Sequence, residues 1–127
     1  MKQKILLVED DTEIREIYKL KFTLNDYNII TIEDGALAIK KIKDELPDIV
    51  LLDILLPNKD GFEILKEIKD SKEERINSIP VFMLSNLSNE ADIEEAKKLG
   101  ALNYIVKAKN KPKDVVDAVD KFFQSKN

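Results

Sequence analysis

Three features of the sequence predict an α/β fold, a doubly wound five-stranded parallel sheet with five flanking helices. Five short runs are apolar without the alternation of half-exposed strands, which is typical of strands buried on both faces. The segments between them carry apolar residues at helical spacing, and the connecting links are about 2 to 6 residues long. At 127 residues the chain suffices for one core, and we expect residues 1–127 to form one domain.

The central predicted strand lies in residues 47–65 and carries a single carboxylate. Aliphatic residues precede Asp53 without interruption, and Pro57, Asn58 and Gly61 then provide turn signals. The carboxyl ends of parallel strands border the crevice in which such folds bind ligands, so we expect Asp53 near that crevice. The predicted strands are residues 5–8, 27–32, 49–53, 81–84 and 102–106.

The predicted helices combine start or stop signals with one apolar face. Asp11 or Thr12 is expected to cap the first helix, Gly35 to open the second and Pro112 to lie in the first turn of the last. Gly100 is expected to end the fourth helix in a left-handed conformation. The predicted helices are residues 12–24, 35–46, 60–74, 90–99 and 112–123, followed by frayed residues 124–127.

Composition limits the chemistry available to the chain. The absence of cysteine and histidine excludes disulfides, thiolate and imidazole metal ligands, and the commonest general base. The 21 basic and 25 acidic residues are scattered, with a net charge of -4 and no basic stripe for nucleic acid. The apolar runs are too short for a signal sequence or a membrane span. We therefore expect a cytoplasmic protein without direct nucleic-acid or membrane partners.

Polar residues follow the predicted strands at one edge of the sheet. Glu9 and Asp10 follow the first strand, Asp53 closes the third, Ser85 follows the fourth and Lys107 the fifth. Singly, such residues are more often helix caps, loop starts or solvated surface groups. Together, the carboxylates would repel one another without a cation, and an all-oxygen set suits Mg²⁺. Lys107 and Ser85 could bind phosphoryl oxygens, so that one carboxylate becomes a nucleophile towards phosphorus.

The sequence resembles the receiver domain of two-component response regulators. KILLVEDD near the start, PDIVLLDILLPNKDGFEIL in the middle, then VFMLS and GALNYIVK match the family's pattern in order and spacing. The resemblance covers essentially the whole chain and is closest to single-domain regulators of the chemotaxis type. It implies a flavodoxin-like sheet of order 2-1-3-4-5. It does not decide whether the chain is a stand-alone regulator or a receiver excised from a larger protein.

The resemblance also implies a phosphorylation site. Asp53 would accept a phosphoryl group from the phosphohistidine of a sensor histidine kinase or phosphotransfer protein. Asp10 and Asp53, with Glu9 as the acidic neighbour and the backbone carbonyl of Leu55, would bind Mg²⁺. The chain would then be a signalling module that catalyses only its own phosphorylation and dephosphorylation.

Three further residues acquire roles by the same resemblance. Lys107 would pair with the phosphoryl group, Ser85 would be the switch hydroxyl, and Tyr104 the switch aromatic. A protein target is expected on the face formed by the fourth predicted helix, the fifth strand and the fifth helix. Such a switch needs an element with two states, for which Ser85 and Tyr104 are the candidates.

Two positions depart from the family pattern. Ala108 stands where the family usually has proline, often after a cis bond, and a cis bond to alanine would cost roughly 2.5 to 4 kcal/mol. The conformation of residues 108–111 is therefore left open. The residue after the switch hydroxyl is commonly small, whereas here it is Asn86, which we expect to narrow access to the phosphoryl site.

Two other functions are compatible with these residues. The first is a Mg²⁺-dependent phosphohydrolase of related topology, although no second acid stands two residues after Asp53 to act as a general acid. The second is a receiver-like binding module that is never phosphorylated, although all the expected acids and the lysine are present.

Two leucines lie in the loops that rim the predicted crevice. Leu55 and Leu87 are two residues after Asp53 and Ser85, at positions that in the resembled family flank the path of the attacking water. Leucine cannot orient that water, so we expect slow loss of the phosphoryl group. The alternative is that both leucines are loop anchors packed on the sheet edge.

Overall fold

The computed structural model describes residues 3–126. The expectations for Met1, Lys2 and Asn127 lie outside the described residues. Five strands form one sheet in which all neighbours are parallel and the order is β2-β1-β3-β4-β5. Both the fold class and the strand order are therefore confirmed. The strands are β1 Lys4–Val8, β2 Asn28–Ile32, β3 Ile49–Leu52, β4 Val81–Ser85 and β5 Asn103–Val106.

The described part of the chain has six α-helices, one more than expected. The helices are α1 Thr12–Leu24, α2 Ala38–Glu45, α3 Gly61–Asp70, α4 Glu74–Asn77, α5 Glu90–Lys98 and α6 Pro112–Gln124. The fourth and fifth predicted helices are thus α5 and α6. The second predicted helix begins as the 3-10 turn Gly35–Leu37 and becomes α-helical at Ala38.

The extra helix arises because the third predicted helix is interrupted at Ser71. Ser71 has extended backbone angles, and its hydroxyl accepts a hydrogen bond from Glu73 N–H at 3.2 Å. The Asn77 side chain donates to the Ser71 carbonyl at 2.8 Å. Serine and asparagine offer the backbone such local partners in place of helical ones, so the chain turns before the single-turn helix α4.

Helices cover both faces of the sheet and enclose two apolar layers. One layer lies under α1 and α6 and includes Phe22 and Val119, and the other lies under α2 to α5 and includes Ile42 and Leu65. Successive strand residues point to opposite faces, and both faces are covered. This is why the strands are continuously apolar and could be predicted from that property.

Several predicted helix boundaries are confirmed. The Asp11 side chain accepts from Ile14 N–H at 3.1 Å and caps α1. Pro112 lies in the first turn of α6, and Gly100 follows α5 with a φ of 106°, in the left-handed region that favours glycine. Within residues 3–126, the helices are too short or too polar to cross a membrane.

The start of α3 lies directly against the end of β3. Gly61 N–H donates to the Ile54 carbonyl at 2.8 Å, and a Cβ at Gly61 would lie 2.2 Å from the Asp53 carbonyl oxygen. Only glycine permits this approach. Asp60 and Glu63 form a capping box that begins the helix at this position. The loop after Asp53 is therefore held between the sheet and α3.

Candidate functional site

Three carboxylates meet at the carboxyl edge of the sheet. Oxygens of Glu9, Asp10 and Asp53 all lie within 4.8 Å of one another. The strands that deliver them are neighbours, with Val8 paired to Leu52, and the backbone pairing continues beyond them because Asp53 N–H donates to the Val8 carbonyl at 3.1 Å. Glu9 and Asp53 are only 1% and 5% exposed, whereas Asp10 is exposed.

Lys107 places its ammonium between the two buried carboxylates. Its Nζ lies 2.7 Å from Glu9 Oε1 and 2.8 Å from Asp53 Oδ2. Burial lowers the pKa of Lys107, but the hydrogen bonds with Asp53 and Glu9 outweigh it, so that the pKa is raised overall. Burial raises the pKa of Glu9, against the opposing effect of Lys107. The lysine thus remains charged beside the acids.

Backbone groups hold the other oxygens of the buried carboxylates. Glu9 Oε2 accepts from Asp11 N–H at 3.1 Å, and Asp53 Oδ1 accepts from Ile54 N–H at 2.7 Å. Each carboxylate is therefore oriented by one backbone N–H and by Lys107. The described residues contain no buried side-chain oxygen or nitrogen without a hydrogen-bond partner, and these bonds fix the orientation of the Glu9 and Asp53 carboxylates.

Arg15 supports the loop that bears Glu9 and Asp10, a role that the sequence analysis missed. Its Nη1 donates to the Glu9 carbonyl at 3.0 Å and to the Asp10 carbonyl at 3.4 Å. Its Nη2 lies 3.3 Å from Glu33 Oε2, just after β2. An arginine one turn into the helix that follows an acidic strand end is the sequence signal that would have identified it.

Ser85 and Tyr104 are brought together by the backbone of Leu87. The hydroxyl of Ser85, which is fully buried, accepts from Leu87 N–H at 3.3 Å. The Tyr104 hydroxyl donates to the Leu87 carbonyl at 2.6 Å, and its half-buried ring packs on the apolar layer under α2 to α5. Burial raises the pKa of Tyr104, and the negative charge of Asp92 raises it further. Both predicted switch residues thus contact one loop residue.

The two crevice leucines differ in their surroundings. Leu55 is 61% exposed in the loop after Asp53. Leu87 is half-buried and packs on the apolar layer under α2 to α5. The loop-anchor interpretation therefore fits Leu87, while Leu55 remains at the rim.

The two departures from the family pattern contact each other. The peptide bond between Lys107 and Ala108 is trans, and residues Lys107–Lys109 form a 3-10 turn. Ala108 N–H donates to Asn86 Oδ1 at 2.7 Å. Each position is recognisable separately in the sequence, but their contact is seen only in the structure.

The donor set fits Mg²⁺. Three carboxylates face one ammonium, which leaves uncompensated negative charge, and the available donors are all oxygens. Magnesium prefers oxygen ligands, often one or two carboxylates with water and phosphate oxygens. The exposed Asp10 leaves the cluster open to solvent on one side, where a metal and a phosphoryl group can enter.

Comparison with known proteins agrees with the resemblance to receiver domains. The family model described as response regulator receiver domain matches residues 5–120. A probable transcriptional regulator ycf27 of Guillardia theta is 35% identical over 106 residues, which are 84% of this chain and 40% of that protein. The alkaline phosphatase synthesis transcriptional regulatory protein PhoP of Bacillus subtilis is 35% identical over 107 residues, 84% of this chain and 43% of that protein.

A solved structure extends the likeness to the whole chain. The phosphorylated cyanobacterial phytochrome response regulator RcpA superposes with a TM-score of 0.86 at 31% identity, covering 100% of this chain and 97% of that one. By contrast, the chain spans less than half the length of the two curated relatives described above.

Proposed function

This chain belongs to the response regulator receiver domain family, and from that premise we propose that Asp53 accepts a phosphoryl group and switches a protein-binding surface. Proteins of this family are signalling modules of two-component systems. The phosphodonor is proposed to be the phosphohistidine of a sensor histidine kinase or phosphotransfer protein. The expected cytoplasmic location and the boundaries 1–127 of the receiver domain stay predictions.

The observation that carries the proposal is the position of the Asp53 carboxylate. Its oxygens are oriented by Ile54 N–H and by Lys107 at the open edge of a carboxylate cluster. An oxygen of Asp53 would attack phosphorus, forming the new O–P bond as the P–N bond to the donor imidazole breaks and its electron pair returns to nitrogen. Lys107 would then bind a phosphoryl oxygen and balance the added negative charge.

Asp10 and Asp53 would hold Mg²⁺, with the Leu55 carbonyl as a further ligand and Glu9 as the acidic neighbour. The bound ion supplies charge neutralisation for the approaching phosphoryl oxygens. Glu9 is engaged by Lys107 and by Asp11 N–H, so its contribution is to hold the lysine and to add negative charge. We expect Asp10→Ala to weaken Mg²⁺ binding.

The proposed switch runs from Ser85 through Leu87 to Tyr104. If Ser85 turns its hydroxyl towards a phosphoryl group, its hydrogen bond to Leu87 N–H is lost, and the Leu87 carbonyl that holds Tyr104 moves. Tyr104 lies on β5, between α5 and α6. The proposed partner surface is therefore the face of α5, β5 and α6.

Mass spectrometry after incubation with a small phosphodonor and Mg²⁺ tests the function. We expect one added phosphate on the parent chain and none on Asp53→Asn, because the amide is a poor nucleophile. Asp44→Asn, at an exposed residue of α2, is the matched control and should be phosphorylated normally. Phosphorylation of the Asp53→Asn variant would show that another residue is the phosphoacceptor.

The same experiment separates the two alternative functions. Turnover of many phosphoesters without a stable adduct would indicate a phosphohydrolase. No adduct and no turnover would indicate a binding module.

A further inference from the structure

The loops after β4 and β5 meet beside the carboxylate cluster. Asn86 follows β4 directly, and Ala108 lies just after Lys107. Ala108 N–H donates to Asn86 Oδ1 at 2.7 Å, across a separation of 22 residues in the chain. Because β4 and β5 are paired to their last residues, with Ser85 opposite Val106, the two loops leave the sheet side by side.

The turn that carries Lys107 also has hydrogen bonds of its own. Asn110 N–H donates to the Lys107 carbonyl at 3.3 Å, and Asn110 Nδ2 donates to the Val106 carbonyl at 2.9 Å. These bonds are local to the turn. The bond from Ala108 to Asn86 instead connects the turn to the neighbouring loop, which begins at Ser85.

This connection bears on the position of the Lys107 ammonium. A lysine side chain is long and flexible, so the place of its Nζ depends on the backbone from which it extends. Lys107 Nζ reaches two carboxylates at 2.7 and 2.8 Å, and its side chain is only 9% exposed. A bond at the very next backbone N–H limits how far that backbone can move.

The bond requires both positions at which this chain departs from the usual family pattern. A proline in place of Ala108 would have no N–H to donate. A small residue in place of Asn86 would have no oxygen that reaches across to the turn. The donor and the acceptor therefore complement each other in this chain.

We propose that Asn86 is a positioning residue, which holds Lys107 in place to bind phosphoryl oxygens and couples its loop to that of Ser85. The inference rests on the proposed function, because it concerns the same phosphoryl site. Asn86 itself acts through the Ala108 backbone rather than on the phosphoryl group.

The test compares Asn86→Ala with the parent in binding beryllofluoride, a stable mimic of a phosphoryl group, at saturating Mg²⁺. We expect affinity to fall roughly two- to tenfold, the ordinary net effect of one hydrogen bond. Affinity for Mg²⁺ alone should not fall, because Glu9, Asp10 and Asp53 are untouched and a less firmly held Lys107 competes less for their oxygens. Ser88→Ala, at an exposed residue of the same loop, is the matched control and should bind both ligands as the parent does.

Amide hydrogen exchange of Ala108 reports the hydrogen bond itself. It should be faster in Asn86→Ala than in the parent, and the same as the parent in Ser88→Ala. Unchanged beryllofluoride affinity in Asn86→Ala would overturn the inference, as would a parallel loss of Mg²⁺ affinity, which would indicate general disruption of the site. Failure of the parent chain to bind beryllofluoride would instead contradict the proposed function and, with it, this inference.

Discussion

Lys107 is the residue on which the charge balance of the site depends. Replacing it with methionine would leave the buried carboxylates of Glu9 and Asp53 facing each other without their cation. We expect Lys107→Met to lower the free energy of unfolding by about 3 to 5 kcal/mol in the absence of Mg²⁺, the usual cost of removing one partner of a buried ion pair. Urea denaturation measures this difference.

Mg²⁺ should restore part of that stability, because a ligand that binds only the folded state stabilises it. Lys40→Met is a suitable control, since Lys40 pairs with Asp44 on the exposed surface of α2 and should contribute at most about 0.5 kcal/mol. Equal stability of Lys107→Met and the parent without Mg²⁺ would contradict the assignment of Lys107.

Leu55 is predicted to lengthen the lifetime of the proposed phosphorylated state. Its side chain is exposed at the rim and cannot hydrogen-bond a water molecule. We expect Leu55→Asn to accelerate self-dephosphorylation about tenfold, equivalent to about 1.4 kcal/mol in the barrier, by orienting the attacking water. The measurement is the decay of phosphorylated protein with Mg²⁺ present. Leu102→Asn is a matched control, because Leu102 is also 61% exposed but precedes β5, at the opposite edge of the sheet.

The same assay includes the double variant Leu55→Asn with Leu87→Glu. Leu87 packs on the apolar layer, so a glutamate there will also reduce stability, which should be measured alongside the decay. A parent rate equal to or faster than that of the double variant would refute slow hydrolysis as a property of these leucines.

The start of α3 shows how a secondary-structure element determines the position of a site residue. Because a Cβ at Gly61 would lie 2.2 Å from the Asp53 carbonyl oxygen, Gly61→Ala must displace either α3 or the Asp53 backbone. We expect a loss of about 1 to 3 kcal/mol in stability, typical of overpacking, together with weaker Mg²⁺ binding. Lys66→Ala on the exposed face of α3 should change neither measurement appreciably. Normal Mg²⁺ affinity in a destabilised Gly61→Ala variant would show that α3 does not position Asp53.

The helices also show which features of an element its own sequence specifies. Asp11, Gly100 and Pro112 act through their immediate neighbours, so their capping and turn roles could be predicted. The interruption at Ser71 could not, because apolar residues at helical spacing continue up to Ile68 and the break depends on hydrogen bonds with Glu73 and Asn77.

At the scale of the whole molecule, the proposed signal travels from the carboxyl edge of the sheet to the face of α5, β5 and α6. We expect beryllofluoride with Mg²⁺ to shift amide resonances on that face, and to shift them less in Tyr104→Phe, which lacks the hydroxyl bonded to the Leu87 carbonyl. Two-dimensional NMR spectra of both proteins measure this. Resonance shifts confined to another part of the surface, such as α2, would contradict the assignment of the partner surface to α5, β5 and α6.

The convergence of the polar residues could be predicted because the family resemblance implied the strand order, which the apolar runs and their spacing do not determine. Once β1 and β3 are neighbours, Asp10 and Asp53 must approach each other, since parallel strands end at the same edge. Contacts between loops follow no such rule. The bond of Ala108 to Asn86 depends on loop paths that neither periodicity nor composition encodes.

The long reach of Lys107 along the chain has a consequence for biosynthesis. Its ammonium contacts residues 98 and 54 positions earlier in the sequence. A ribosome releases the three acids before the lysine, so a nascent chain that stops before β5 has carboxylates without their cation. The ion pairs that balance the buried carboxylates can therefore form only after β5 has been synthesised and has joined the sheet.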